Sequence, residues 1–149
     1  MGVRAGLTEI SADVYTKVKA GGNVDEADLK DRTWTSLDKA WYGFHNVFKQ
    51  IAPPLKFTIS GDYPHPLGAP DIDVFDESPD YDFYLGYMSP SLVEEIADSL
   101  SMQSYEKIAQ LFELAGIEFD GYFQHHFEAM KQAYSQAAKN GNALYICIA

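Results

Sequence analysis

Apolar side chains recur at three- and four-residue spacing in two parts of the chain, and each recurrence predicts an amphipathic helix. In the first part Trp34, Leu37, Trp41, Phe44, His45 and Phe48 share one side of a helix expected over residues 38–50. Pro53-Pro54 ends it, because proline has no amide hydrogen and its ring clashes with the preceding turn. In the second part Phe119, Phe123, Phe127, Met130, Tyr134 and Ala137 form a stripe that stops at Asn140-Gly141. Both stripes are expected in the core.

The rest of the pattern is weaker but ordered. Residues 3–9 read as a first strand, and Ser11 is placed to cap a helix through Tyr15 and Val18 that Gly21-Gly22 stops. Residues 24–32 are polar and read as loop or a frayed turn, and residues 55–60 as a short helical turn before Gly61. The density of Pro, Gly and Asp over residues 62–79 predicts a long irregular excursion. Residues 83–88 read as a strand. Ser89 then supplies an N-cap with Pro90 at the first helical position, and Leu92, Val93, Ile96 and Leu100 mark the buried side of that helix. Ser101 or Ser104 caps another helix through Ile108, Leu111 and Leu114 to Gly116. Residues 143–148 are nearly all apolar, as in a strand covered on both faces. Strands at the two ends and in the middle, separated by helices, predict an α/β fold: a single compact domain over residues 1–149, with a small central sheet flanked by helices.

Composition supports a core. A chain of 149 residues with 46% hydrophobic content is long enough and apolar enough to fold as one domain. A mean hydropathy of -0.23 and the lack of a long uncharged apolar run argue against a membrane span. No apolar segment of signal-peptide length follows Met1. The one cysteine, Cys147, has no internal partner and reads as a small buried hydrophobe, so a reducing cytoplasm is the simplest location.

Charge changes the picture more. Residues 57–106 contain no Lys or Arg but carry eleven acids, and elsewhere eleven acids balance eleven bases, so the net charge of -11 is regional. At its centre the acids alternate with rings and apolar groups in Asp71-Ile72-Asp73-Val74-Phe75-Asp76-Glu77 and Asp80-Tyr81-Asp82-Phe83-Tyr84. Aromatic anchors supply contact area and carboxylates supply steering, which together suit a basic protein surface. Asp71, Asp73, Phe75, Asp76, Glu77, Asp80 and Tyr81 are the expected partner-binding residues, weighed against a face that only solubilises. An isoelectric point near 4.6 repels phosphate backbones, so neither nucleic acid nor membrane is an expected partner.

Candidate catalytic groups are few. His45 lies one turn after Trp41, with Asp38 further back, and an imidazole oriented by a carboxylate can act as a general base. With no nucleophile in sequence reach, a hydrogen-bonded core histidine is the preferred reading. His125 and His126 are adjacent, so on a helix they point about 100° apart, whereas helical metal ligands stand three or four residues apart. Asp71, Asp73, Asp76 and Asp82 resemble a calcium loop only faintly, since Phe75 and Asp76 occupy positions for a ligand and the turn glycine, and Asp82 is shorter than the usual bidentate Glu. No Gly-rich phosphate loop, Gly-x-Ser-x-Gly elbow or Cys-His zinc spacing occurs, and no metal or cofactor is expected.

Three runs resemble the YfbM-like bacterial family of the DUF1877 type. They are Leu37-Asp38-Lys39-Ala40-Trp41-Tyr42-Gly43-Phe44-His45, then Pro54-Leu55 with Ile59 and Gly61, then Tyr84-Leu85-Gly86-Tyr87-Met88-Ser89-Pro90-Ser91-Leu92-Val93. Ala137-Ala138-Lys139-Asn140-Gly141 before the terminal apolar run is similar too. The resemblance implies helices packed on a small sheet and implies no activity, because no function is known for that family. The chain departs from the family pattern at Asp120-Gly121-Tyr122 and in the acids between Gly61 and Asp82.

The leading expectation is a non-catalytic acidic protein that binds a basic partner, as an immunity protein occludes a nuclease-type toxin. A small enzyme, for example a hydrolase using His45 with Asp38, is the alternative, and it requires His45 open to a pocket beside a carboxylate. A housekeeping interaction module is the third. The sequence assigns no oligomeric state.

Overall fold

The two ends of the chain pair side by side, Ala5 opposite Ile148 and Ile10 opposite Ala143, in antiparallel register. The computed structural model describes residues 3–30, 32–64, 71–77 and 83–149. In chain order the elements are β1 (Ala5–Ile10), α1 (Ala12–Lys19), α2 (Glu26–Leu29), β2 (Trp34–Asp38), α3 (Trp41–Phe48), a 3₁₀ turn Leu55–Phe57, β3 (Tyr63–Pro64), a 3₁₀ helix Ile72–Glu77, β4 (Tyr84–Met88), α4 (Pro90–Ser101), α5 (Tyr105–Leu114), α6 (Gly121–Lys139) and β5 (Ala143–Ile148). The sheet has the order β2-β1-β5-β4-β3, and every neighbouring pair is antiparallel. It is a mixed helix-and-sheet fold with a small sheet, as expected.

Strand alternation gives the sheet two apolar faces. Leu7, Leu37, Tyr84, Met88, Leu144, Ile146 and Ile148 join the buried sides of α3, α4, α5 and α6 in the main core. Ile10, Tyr87 and Ala143 instead meet Val14, Tyr15 and Val18 of α1 in a smaller one. Phe44 and Phe127, from the two stripes, lie 6.2 Å apart between ring centres. The main core is therefore where the two periodic segments meet.

Local chemistry starts most of these helices. Ser11, Ser89, Ser104 and Asp120 accept hydrogen bonds from the amides of Val14, Leu92, Lys107 and Phe123, each satisfying a donor that the first helical turn leaves free. At the other end of α6, Asn140 is the C-cap and Gly141 turns away at φ 69°.

Three expectations shift. The helix expected over residues 38–50 begins at Trp41, and Trp34 and Leu37 belong to β2. Leu37 still reaches the core, but Trp34, on the opposite face of the strand, is 63% exposed and lies across Gly6. A Cβ at Gly6 would stand 2.3 Å from the Trp34 indole nitrogen, so only glycine accepts the ring there. Residues 24–32 hold α2, a four-residue turn closed by reciprocal bonds between Asp25 and Asp28. Within the excursion, β3 pairs with β4 and Ile72–Glu77 is helical.

Cys147 is half-buried rather than sealed, and burial raises its thiol pKa. Among the described residues, no helix is long and apolar enough to cross a membrane.

Candidate functional site

The 3₁₀ helix Ile72–Glu77 is held from beneath. Ile72 and Phe75 are buried in the main core, with the Phe75 ring 6.3 Å from that of Tyr84. The amide of Asp73 donates to the Asp71 carboxylate at 2.9 Å, an aspartate turn that sets the start of the helix. With the apolar pair facing inward, Asp71 and Asp73 face solvent.

Asp73 is tied to α3. Its Oδ1 accepts from His45 Nε2 at 2.8 Å and from Lys49 Nζ at 3.2 Å. Burial raises the Asp73 pKa, but the hydrogen bonds from His45 and Lys49 outweigh it and hold the carboxyl below its usual value. A carboxylate only accepts, so Nε2 carries the proton of this bond. The other ring nitrogen, Nδ1, is buried without a partner among the described residues. His45 as a whole is 5% exposed.

These residues form one wall of a cavity of about 720 Å³. Lys56 and Phe57 from the 3₁₀ turn, Asp62 beside β3 and Tyr84 from β4 complete its charged and aromatic lining. Partial burial raises the pKa of Asp62. Burial, reinforced by the nearby charges of Asp71 and Asp73, pushes the Tyr84 phenol far up, and its hydroxyl donates to the Ser60 carbonyl. Tyr84 is thus a neutral donor already committed to the backbone. Among the described residues, the lining carries three carboxylates, Asp62, Asp71 and Asp73, and two ammonium groups, Lys49 and Lys56.

The sequence-predicted residues fare differently. Asp71 and Asp73 come together at the cavity mouth. Phe75 is corrected: it is 4% exposed and acts as a core anchor rather than a contact residue, because it turns inward with Ile72 and packs on Tyr84. Asp76 and Glu77 belong to the same helix, and Asp80 and Tyr81 lie outside the described residues. Asp38 is also corrected as the partner of His45. It ends β2 at φ 44°, before α3 begins, and binds Arg4 at 2.8 Å and the Tyr122 hydroxyl at 2.9 Å. The hydrogen bond from Tyr122 is the main reason its pKa is lowered.

Sequence reasoning missed Lys49 and Lys56, and it noted Asp62 and Tyr84 within the acidic stretch without including them among the expected partner-binding residues. The spacing of His45 and Lys49, one helical turn apart, was a usable signal for two groups sharing one acid. His125 is exposed and His126 buried, its ring 4.8 Å from Tyr122. Among the described residues, no group of three or more His, Cys, Asp or Glu is arranged to hold a metal.

A family model described as a domain of unknown function, DUF1877, matches residues 1–147. The crystal structure of YfbM from Escherichia coli, described as a protein of unknown function, is similar at a TM-score of 0.64 and 16% identity, covering 98% of this chain and 99% of that one. At that identity the likeness concerns the fold. No curated protein matches the chain.

Proposed function

Because the chain belongs to the DUF1877 family, whose description assigns no activity, we propose a function from the geometry of the cavity mouth: a non-catalytic, acidic module that binds a basic protein partner. One observation carries it. Asp71 and Asp73 are exposed while Ile72 and Phe75, on the same short helix, are buried. The acids are therefore presented on a ridge already held in place, and a partner meets them without first having to order them. The surrounding region, which has eleven acids and no Lys or Arg across residues 57–106, steers a cationic surface toward that ridge.

The state of His45 favours binding over catalysis. A histidine base needs one nitrogen oriented by a partner and the other open to substrate. Here the nitrogen beside the cavity is the one committed to Asp73, and the other is enclosed. The finer form of the proposal is an immunity protein, since nuclease-type toxins bind phosphates through basic sites that such a ridge complements. Its support is this charge complementarity alone.

The test is an NMR titration with a synthetic Arg-Ser-Ser-Ser-Arg peptide at low and moderate salt. Shifts should centre on Asp71 and Asp73, weaken with salt, and largely vanish when Asp71, Asp73, Asp76 and Asp80 are changed to Asn. Equal binding by that variant would remove the ridge from the account. For the finer form, co-expression with a basic toxin encoded beside this gene should protect cells, and the same four changes should abolish protection.

A further inference from the structure

A second concavity, of about 400 Å³, adjoins the first and shares Phe57 with it. Its floor is apolar, made by Pro53, Pro54, Phe57 and Leu92, and its rim on α4 is Glu95 and Asp98. Phe57 is half-buried, and Glu95 and Asp98 are exposed. Between the two concavities, the Lys56 ammonium stands over the Phe57 ring, 5.1 Å from its centre.

The rim is arranged against the stability of its own helix. Glu94 and Asp98 are one turn apart and of like sign, and Asp98 lies in the last turn of α4, where the helix dipole disfavours an anion. That last turn has no basic residue, and among the described residues no salt bridge involves Glu94, Glu95 or Asp98. A cation from outside relieves the repulsion that the chain leaves in place.

We propose that this groove continues the surface at Asp71 and Asp73, and that the two together take an extended basic segment of a partner protein in which an apolar residue is flanked by Lys or Arg. The inference rests on the acidic-module reading and adds the form of the partner to it. One basic side chain meets Asp71 and Asp73. The apolar residue packs on Phe57, Pro54 and Leu92. The second basic side chain meets Glu95 and Asp98. The apolar floor separates this surface from one that only attracts cations, because it selects the residue between the charges.

Two synthetic peptides of equal charge, Arg-Ser-Leu-Ser-Arg and Arg-Ser-Ser-Ser-Arg, make the test by NMR titration against the full chain. The leucine peptide should bind roughly tenfold tighter and shift resonances of both the Asp71–Asp73 ridge and the α4 rim. Glu95→Gln with Asp98→Asn should reduce its affinity roughly fivefold, while leaving most of the control peptide's binding intact. These changes remove like charges from an exposed helix face, so an unchanged or raised melting temperature should accompany them. Equal affinity of the two peptides, or shifts confined to the ridge, would overturn the groove and leave the acidic-module reading standing. Absence of binding by both peptides would overturn both.

Discussion

The imidazole of His45, on α3, donates through Nε2 to Asp73 Oδ1 at 2.8 Å, across 28 positions of the chain. Through this bond and the neighbouring one from Lys49, the acidic 3₁₀ helix is joined to α3, one of the four helices whose buried sides build the main core. The histidine is thus a positioning group for an acid, the reverse of an acid orienting a histidine for catalysis.

The bond makes stability depend on pH at the acid end. Asp73 has its folded pKa held below the unfolded value of about 3.9. Its contribution is complete above that value and is lost as the pH falls through the lower folded one. Because its side chain is 48% exposed, Asp73→Asn should cost only about 0.5 kcal/mol at neutral pH. Urea midpoints measured from about pH 5 downward should therefore fall less steeply in the variant than in the wild type. Identical slopes would mean the bond does not form in solution.

Phe75 is expected to matter for stability, and only indirectly for contact. Phe75→Ala removes a ring that is 4% exposed and packed on Tyr84, and should cost about 3 kcal/mol. Amide exchange over Ile72–Glu77 should accelerate well beyond that of β5. A loss below about 0.5 kcal/mol, the size of a surface change, would show that the ring is not anchored.

The pairing of Gly6 with Trp34 is open to fluorescence. The chain has two tryptophans, and Trp41 is 3% exposed whereas Trp34 is 63% exposed. Gly6→Ala places a methyl group within 2.3 Å of the Trp34 indole nitrogen, so the ring must swing off the sheet. The long-wavelength part of the emission should change while the short-wavelength part stays. Destabilisation should be about 1 kcal/mol, because the displaced ring is already largely in water.

Cys147 should react slowly with thiol reagents at neutral pH. Burial raises its pKa, which lowers the thiolate fraction, and the half-buried sulfur is also hard to reach. Labelling by iodoacetamide should be several-fold slower than in the urea-unfolded chain. Equal rates would contradict the packing of β5.

Much of the scaffold can be read from neighbours a few residues apart. Ser11, Ser89 and the Asn140-Gly141 stop act on amides or carbonyls within one turn, and the stripes through Phe44 and Phe127 follow from helical period alone. The spacing of Trp34 and Leu37 misled because three-residue steps extended the Trp41 stripe backward, whereas β2 sends those two residues to opposite faces of the sheet. The acids of the candidate site could be read as charge, and their exposure at Asp71 and Asp73 agrees with that.

What the sequence by itself determined is what short-range chemistry encodes: the main helices and their caps, the regional charge, and the family carried by runs such as Leu37 to His45. What only the tertiary structure decided is what joins distant positions. Such contacts include the order β2-β1-β5-β4-β3, the choice of Asp73 over Asp38 for His45, and the inward turn of Phe75. The groove that Phe57 shares between the 3₁₀ turn and α4 belongs with them. The reason is physical. A cap or a helical stripe is selected by groups within four residues, whereas a contact across 28 positions depends on how whole elements pack, and that packing leaves no period in the chain.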